Sequence, residues 1–311
     1  MSISNVTVAG GGVLGSQIAF QSAYRGFPVT VWLRSEGSIE HAKPRFERLR
    51  DIYIRTLEAM KTNPAAYCRG LASKDATAEL LDELKAKAER AYESIAYTTS
   101  YEEAAQTADL VIEAIAEEPK QKIALYVELA KYLPENTIIA TNSSTMLPSA
   151  FAEYTGRPGK YLALHFANEI WRNNTAEVMG HAATSSEAYD AVVDFASAIG
   201  MIPLKLKKEQ PGYILNSMLV PFLSAAEQLL ANDVADVETI DKTWRLATGA
   251  PLGPFRILDV VGLTTAYNIG MLDPRAADPN TVQGKVAAML RRYVEEGKTG
   301  VNAGEGFYKY R

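Results

Sequence analysis

Histidines are scarce in this 311-residue chain, which leaves three side chains as candidates for proton transfer near neutral pH. His165 ends the apolar run YLALHF, whereas His41 lies in a charged helical segment and His181 in a polar loop. Glu177 stands in the next apolar run, TAEVMG, so a β-hairpin would bring its carboxylate to the His165 imidazole. A histidine oriented by a carboxylate is a general base for an alcohol and a general acid for a ketone. A buried structural histidine is the alternative.

A glycine-rich turn is the second chemical feature, because residues 10–15 read Gly-Gly-Gly-Val-Leu-Gly. The turn follows an apolar strand pattern and opens a helical pattern, and a second strand pattern starts at residue 29. That order is typical of a dinucleotide-binding βαβ unit, in which the helix N-terminus receives the diphosphate. A glycine turn without a ligand is the alternative. The residues predicted here to contact the cofactor are Gly10, Gly12, Val13, Leu14 and Gly15.

The end of the second strand pattern indicates which dinucleotide binds. Chains that bind NAD usually carry Asp or Glu there, bonded to the ribose 2′-hydroxyl. This chain has Leu33-Arg34-Ser35, which offers no carboxylate at that point. A guanidinium can pair with a 2′-phosphate or stack on adenine. We therefore predict that Leu33, Arg34 and Ser35 contact NADP in preference to NAD, the alternative being that Arg34 is a solvated surface arginine.

The elements that must position these groups alternate between short β-rich runs and helical stretches through the first half of the chain. Alternation of this kind predicts an α/β fold, here a doubly wound Rossmann-type N-terminal domain over residues 1–205. A long charged insert interrupts it, and Asn63-Pro64 should break that insert into two helices that form an antiparallel arm. A solvated decoration with no packing role is the alternative for the insert.

Residues 206–311 form the second predicted domain, which is all-helical because no convincing strand run occurs in it. The segment GYILNSMLVPFLSAAEQLLA is apolar over more than one helical face, and such a helix is expected to be buried. We assign this domain to substrate binding and dimerisation.

Composition excludes several classes of protein. The chain is 47% hydrophobic and 22% charged with a net charge of -5, so nothing suggests a nucleic-acid or membrane partner. The lone cysteine, Cys68, permits no intramolecular disulfide and no multi-thiolate metal site, and we predict no metal. We find no signal peptide and no apolar run of membrane-spanning length, so the expected location is cytoplasmic.

Several motifs together carry a family resemblance over essentially the whole chain. They are GGGVLGSQIA, IEAIAEEPKQK, ATNSSTMLP, ALHF, GYILNSMLVPFL, GAPLGPFRILDVVGL and the tail GEGFYKY. In this combination the sequence resembles the 3-hydroxyacyl-CoA dehydrogenase family. The resemblance implies an NAD(P)-dependent oxidoreductase of fatty acid metabolism that interconverts 3-hydroxyacyl and 3-oxoacyl compounds, and a homodimer that pairs through the C-terminal domain.

The same resemblance implies roles for individual residues. His165 would be the catalytic acid/base and Glu177 its orienting partner. Ser144 and Asn216 would bond the reacting oxygen of the substrate, although Asn216 could instead be a structural residue that bonds only backbone. The nicotinamide-ribose side of the cofactor would be lined by Ala114, Glu117, Lys122, Asn142 and Asn168.

Departures from the family pattern concern the substrate. Residues 166–171 read Phe-Ala-Asn-Glu-Ile-Trp, without the prolines expected after the histidine, which predicts a reshaped acyl pocket. Asn302 replaces a lysine that touches the cofactor in some relatives. Near its breaks the helical arm offers few cations for the phosphates of coenzyme A, namely Lys61, Arg69 and Lys74. A CoA thioester and a free 3-oxo or 3,5-dioxo acid or ester therefore stay open as substrates, and a non-catalytic dinucleotide-binding protein is the third alternative.

Overall fold

The computed structural model describes residues 2–310, which divide into two compact units with the boundary between Ile214 and Leu215. The sequence analysis drew its boundary after residue 205, where the last strand of the first unit ends. The difference is the segment 206–214, which packs on the first unit. Its residues Leu206 and Tyr213 share a buried cluster with Ala163 and Met179 of that unit.

The first unit is built on an eight-stranded sheet in the order β3-β2-β1-β4-β5-β6-β7-β8. All neighbouring strands are parallel except β6 and β7, which are antiparallel. This order confirms the doubly wound fold, because the chain runs outward from β1 in both directions. The strands are β1 (Val6–Ala9), β2 (Val29–Trp32), β3 (Ala96–Thr98), β4 (Leu110–Glu113), β5 (Ile138–Thr141), β6 (Tyr161–Phe166), β7 (Thr175–Met179) and β8 (Ile202–Lys205).

Helices cover both faces of this sheet, because successive residues of each buried strand point to opposite sides. Val8 and Ile112 belong to one apolar core cluster, and Val111 and Ile139 belong to the other. The first cluster also takes residues from α1, α2, α3 and α6, and the second from α4 and α5. These helices are α1 (Val13–Tyr24), α2 (Glu36–Met60), α3 (Ala78–Ser94), α4 (Tyr101–Ala105), α5 (Pro119–Leu129) and α6 (Ser186–Ala198).

The insert forms the predicted pair of helices, α2 and α3, with a break at Asn63-Pro64. Helix α2 ends at Met60, and the Asn63 side chain accepts a hydrogen bond from the Ala65 amide, which starts a single 3-10 turn. The insert is more than a solvated decoration. Gly70 donates its amide to the Trp171 carbonyl at 3.0 Å, and a β-carbon at position 70 would collide with that carbonyl. The insert is thereby packed against the link between β6 and β7.

The second unit is helical, and its only β-pairing among residues 215–310 is two isolated bridges near the C-terminus. Its core joins Leu223, Phe255, Leu258 and Leu290. The helices are α7 (Leu215–Ala231), α8 (Val237–Thr248), α9 (Pro254–Val261), α10 (Leu263–Gly270) and α11 (Val282–Glu295). No helix among residues 2–310 is long and apolar enough to cross a membrane.

The expectation that the first helix of this unit is buried is wrong for a single chain. Only Leu223, Ala226 and Glu227 of α7 are buried, and Met218 is 62% exposed. Three further apolar side chains of α7 are also exposed, namely Leu215, Val220 and Leu229. The apolar stripe is wider than the core of its own unit can cover.

Candidate active site

The glycine-rich turn connects β1 to α1, and two of its glycines are required by close packing. Gly10 has a φ of 119°, and a β-carbon there would lie 2.5 Å from the Ala114 carbonyl oxygen. A β-carbon at Gly15 would collide with the Gly10 carbonyl. Gly12, in contrast, has open space on its β-carbon side.

The start of α1 fits an anionic diphosphate. Its N-cap is Gly12, and no side chain among residues 2–310 caps it by a hydrogen bond. The first amides of a helix lack partners within the helix and attract anions. Val13, in the first turn, is 61% exposed, so this end of the helix is accessible. Backbone amides and open space therefore coincide where the sequence predicted Gly12, Val13 and Leu14 to contact the cofactor.

A surface cavity of about 420 Å³ lies beside this turn. Arg34 on its wall is exposed and makes no hydrogen bond or ion pair with any other residue that the structure describes. Leu33 follows β2 directly and is buried, with its side chain close to Gly11. The cavity is lined by Gly11, Gly12, Leu33, Arg34, Ser35, Gly37, Ser38, His41 and Arg45.

Three polar side chains of this lining were not assigned to the cofactor by the sequence analysis: Ser38, His41 and Arg45. Their spacing of three and four places them on one face of α2, which is the signal that could have found them. The Arg45 guanidinium donates to the carbonyls of Gly11, at 3.4 Å, and His41, at 3.1 Å. The Ser35 hydroxyl caps α2, because it accepts the Ser38 amide at 3.2 Å. The cavity thus combines two arginines, a histidine and two hydroxyls.

The antiparallel pairing of β6 and β7 sets His165 directly opposite Glu177. The imidazole Nδ1 lies 3.0 Å from the carboxylate Oε2, and the two residues are 5% and 3% exposed. An ionised carboxylate only accepts hydrogen bonds, so Nδ1 carries a proton and Nε2 of the neutral ring is an acceptor. The structure therefore brings together the two residues that the strand spacing paired.

Ser144 completes a chain of three side chains. It follows β5, and its hydroxyl oxygen lies 3.2 Å from His165 Nε2. The Ser144 amide donates to Glu117 Oε1 at 2.6 Å, which fixes the serine backbone. The hydroxyl and Nε2 therefore lie side by side, close enough for one substrate oxygen to contact both groups.

The residues assigned to the nicotinamide-ribose side surround the carboxyl ends of β4, β5 and β6. The Asn142 side-chain oxygen accepts the Phe166 amide at 3.1 Å, which ties β5 to β6. Ala114 lies beside Gly10 of the glycine-rich turn. Asn168 is exposed in the β6–β7 link, where its carbonyl accepts from the Asn173 side chain at 2.8 Å.

Lys122 is buried under this region rather than exposed in it. Its ammonium lies 2.7 and 2.9 Å from the two Glu113 oxygens and 3.3 Å from Glu117 Oε2. Glu117 in turn accepts the Ser143 hydroxyl at 2.9 Å. Lys122 therefore fixes Glu117, which holds the segment that carries Ser144.

Glu113, which the sequence analysis missed, is the centre of that buried network. Besides the Lys122 ammonium, it accepts the Thr141 hydroxyl and the Tyr126 hydroxyl, each at 2.7 Å, and the Ile115 amide at 2.9 Å. Burial and the neighbouring Glu113 charge raise the pKa of Tyr126 well above its usual value, so this phenol stays a neutral donor. The only sequence signal was an acidic residue inside the apolar run LVIEAI, which implies a satisfied buried charge.

Asn216 belongs to the second unit. It is the second residue of α7 and is half-buried. Its proposed contact with the substrate oxygen stays a prediction.

A dinucleotide cradle at the start of α1 and a carboxylate–histidine–serine series at the carboxyl ends of the strands define a nicotinamide-dependent oxidoreductase. The family model for the 3-hydroxyacyl-CoA dehydrogenase NAD-binding domain matches residues 5–210, and that for the C-terminal domain of the same enzyme matches residues 212–310. The chain belongs to the 3-hydroxyacyl-CoA dehydrogenase family, as the motifs indicated, and it is an NAD-dependent oxidoreductase that acts on a CH–OH group.

Individual relatives support this assignment. The chain is 33% identical to the human mitochondrial hydroxyacyl-coenzyme A dehydrogenase, over 99% of this chain and 92% of that protein. It is 30% identical to a probable 3-hydroxybutyryl-CoA dehydrogenase of Bacillus subtilis, over 100% and 98%. Among solved structures, a diketoreductase that acts on dicarbonyl compounds is 48% identical with a TM-score of 0.85, and each chain is fully covered.

Proposed function

We propose that this protein moves a hydride to or from carbon 3 of a 3-oxo or 3-hydroxy acyl substrate, with His165 as the acid/base. The observation that carries the proposal is the series Glu177–His165–Ser144, with contacts of 3.0 and 3.2 Å. The nicotinamide, when bound, supplies or accepts the hydride. In the reductive direction, the imidazolium form of His165 gives its Nε2 proton to the oxygen on carbon 3 and becomes neutral, and Glu177 at Nδ1 stabilises the charged form of the ring.

Ser144 holds the substrate oxygen in this mechanism. Its hydroxyl donates toward the position where negative charge develops, and such a positioned donor stabilises the transition state. Asn216 is proposed to bond the same oxygen with its amide. These two polar groups and the His165 ring would fix the carbonyl in the orientation that the hydride requires.

The test is His165→Gln, with His181→Gln as the matched control. Loss of a positioned proton-transfer group should lower kcat by roughly 10² to 10⁴. The affinity for the dinucleotide should hardly change, because the cradle at α1 is intact. The control replaces a histidine whose Nδ1 accepts only the Ala183 amide, and it should leave kcat unchanged. Near-normal turnover of His165→Gln would remove this residue from the mechanism.

We also propose that NADP(H) is preferred over NAD(H). The cavity wall offers two guanidiniums, from Arg34 and Arg45, where a 2′-phosphate would lie, and Leu33 offers methyl groups where NAD needs an acceptor. The nearest acidic residue along the chain, Glu36, accepts the Thr99 hydroxyl at 3.3 Å. A charge-assisted bond contributes roughly 1.5–3 kcal/mol, which is about tenfold to a hundredfold in affinity.

Cofactor choice is tested by kcat/KM with NADPH and NADH. The double change Leu33→Asp with Arg34→Gln should reverse the order, and Arg45→Gln should reduce the preference for NADPH. Arg48→Gln is the matched control, since Arg48 is exposed on α2 outside the cavity. The preference should shrink as salt rises, because an exposed phosphate–arginine pair is screened. A wild-type enzyme that runs better on NADH would contradict this proposal.

A second candidate concerns the substrate: a free 3-oxo or 3,5-dioxo acid or ester in place of a CoA thioester. Two of the three cations near the breaks of the helical arm are occupied. Lys61 pairs with Asp82 at 2.7 Å and with Glu58 at 3.1 Å, and Arg69 donates to the Asn174 side chain at 2.7 Å. Of the three cations near the breaks, Lys74 has no such partner among the residues that the structure describes. The 48% identity to a diketoreductase also favours this candidate.

Turnover of acetoacetyl-CoA and of a β,δ-diketo ester, compared under the same conditions, separates the two substrates. The candidate predicts a higher kcat/KM for the ester, and the opposite order supports the thioester.

A non-catalytic role is not supported, because each of the four positions proposed for catalysis carries the residue type that catalysis needs. These residues are His165, Glu177, Ser144 and Asn216. We further propose a cytoplasmic enzyme that works as a homodimer through the exposed apolar face of α7, which light scattering at micromolar concentration would test.

A further inference from the structure

The segment that ends the first unit, residues 212–214, has an unusual backbone. Gly212 and Tyr213 both adopt left-handed conformations, with φ of 79° and 55°. Glycine adopts that conformation at no cost, whereas for tyrosine it is strained, because the β-carbon crowds the backbone. Tyr213 is nevertheless 1% exposed, so tertiary contacts hold it in place. Strained backbone conformations persist where surrounding contacts hold them in place, and they are frequent at functional sites.

The contacts that hold Tyr213 lead to the proton-transfer group. Its ring stacks on the His165 imidazole, with the ring centroids 4.4 Å apart and the planes 13° from parallel. The phenol donates to the Ser143 carbonyl at 2.6 Å, one residue before Ser144. Burial raises the pKa of the phenol, so it stays a neutral donor. One side chain thus contacts the imidazole face and the backbone that carries the serine.

The residue after Tyr213, Ile214, contacts Glu177, the partner of His165. The Ile214 amide donates to Glu177 Oε1 at 2.8 Å, while Oε2 of the same carboxylate faces His165. The carboxylate is therefore held on both oxygens. Two edge contacts hold the nitrogens of the His165 ring, but a hydrogen bond allows some change of angle, which a contact on the ring face restricts. Tyr213 supplies that contact.

We propose that Tyr213 is a positioning residue for the acid/base, which rests on the proposed function of His165. The stacked ring keeps the imidazole in the plane in which Nδ1 meets Glu177 and Nε2 meets Ser144 and the substrate oxygen. The phenol holds the backbone next to Ser144 in place through its hydrogen bond to the Ser143 carbonyl. The segment 212–214 therefore positions both groups of the first unit that are proposed to contact the reacting oxygen, His165 and Ser144.

Two variants without a ring, Tyr213→Met and Tyr213→Leu, test this role. Loss of the stacked face should lower kcat about tenfold to a hundredfold, with KM for the dinucleotide within about twofold. Tyr213→Phe keeps the ring and loses one hydrogen bond, so its kcat should stay within about fivefold of wild type. Tyr189→Leu is the matched control, because the Tyr189 phenol bonds the carbonyls of Val178 and Leu206 and contacts neither His165 nor Ser144.

Two readouts separate positioning from a loss of folded enzyme. A misplaced proton donor slows proton transfer, so the solvent deuterium isotope effect on kcat should rise in Tyr213→Met, whereas a smaller folded fraction would leave it unchanged. In protein with ¹⁵N-labelled histidine, the Nδ1–H resonance of His165 should be sharp and slow to exchange in wild type. It should broaden in Tyr213→Met and stay sharp in Tyr213→Phe.

Wild-type kcat and an unchanged His165 resonance in a folded ringless variant would overturn the proposal. Should neither ringless variant fold, the wild-type resonance decides, because fast exchange of Nδ1–H is incompatible with a sheltered, stacked imidazole. Retained turnover in His165→Gln would overturn the proposed function itself. An inactive His165→Gln beside a fully active Tyr213→Met would overturn only the role of Tyr213.

Discussion

The carboxyl end of the sheet in the first unit and the middle of α7 in the second unit both bury a glutamate, and the two are treated differently. Glu113 is fully buried and accepts hydrogen bonds from a lysine, two hydroxyls and an amide. Glu227 is 7% exposed, and its Oε1 has no hydrogen-bond partner among residues 2–310. Burial alone raises the pKa of Glu227 to about 7.

The difference between the two sites lies in the hydrogen-bond donors and the cation around each carboxyl group, because burial is common to both. Desolvation disfavours the carboxylate in both places, and only compensating hydrogen bonds and cations offset it. Glu177 belongs with Glu113, because the His165 ring and the Ile214 amide each hold one of its oxygens. The glutamates whose oxygens are held by donors lie where chemistry is proposed, and Glu227 lies in α7 of the second unit.

Glu177→Gln should give the largest effect, because it changes a glutamate that is held by donors and lies at the proposed site of proton transfer. The glutamine oxygen can replace Glu177 Oε1 as acceptor for the Ile214 amide, which turns the NH₂ group toward His165 Nδ1. The imidazole must then carry its proton on Nε2, the wrong tautomer for accepting one. We expect kcat to fall by roughly 10² to 10⁴. Single-turnover kinetics measure this, and a fall of less than about threefold would contradict it.

Glu113→Gln should give the next effect, on stability. It leaves the Lys122 ammonium, which is 1% exposed, without its main counter-charge. Removal of one partner from a buried ion pair costs about 3–5 kcal/mol in the free energy of unfolding. Denaturant unfolding checks this, with Glu128→Gln as control, because Glu128 pairs with an exposed Lys131. The paired change Glu113→Gln with Lys122→Met should recover part of the loss, and failure to recover any would count against the ion pair as its cause.

Glu227→Gln should give the smallest effect, and in the opposite direction. The folded-state pKa is raised from 4.5 to about 7, so wild type loses stability as pH rises from 4.5 to about 7 and stays level above that. The difference of about 2.5 pKa units corresponds to about 3 kcal/mol. A neutral glutamine removes this loss, so the variant should be more stable than wild type at pH 8 and equal to it near pH 4.5. An identical difference at both pH values in calorimetry would show that Glu227 does not titrate.

The sequence predicted the local parts of the site well. The glycine-rich turn and the β6–β7 hairpin each depend on residues close together in the chain, and their patterns fix which side chains meet. His165 and Glu177 lie opposite each other because β6 and β7 pair as an antiparallel hairpin. The two apolar runs and the polar link between them indicated that hairpin in the sequence. The dinucleotide cradle and the fold class were predicted on the same local grounds.

Longer-range features could not be predicted in this way. The stacking of Tyr213 on His165 joins residues 48 positions apart, and periodicity says nothing about such a contact. The Glu113 network joins two different strands, β4 and β5, and one helix, α5. Hydrophobic pattern also did not show that α7 is exposed in one chain, because an apolar stripe has the same sequence whether its own unit or another surface covers it.

The link between β6 and β7 bears on how enzymes of this kind diverge. Ile170, Trp171 and Asn174 are buried in it, and Trp171 is held by Gly70 of the insert, while residues 167–169, 172 and 173 are at least partly exposed. The pairing of His165 with Glu177 is set by the strands on either side and not by this loop. The chain thus has a small number of exposed positions adjacent to its acid/base pair. Apart from Asn168, which is proposed to contact the cofactor, we expect substitutions at these positions to leave the strand pairing and the acid/base geometry unchanged, so this link is where the surroundings of the pair can vary between related enzymes.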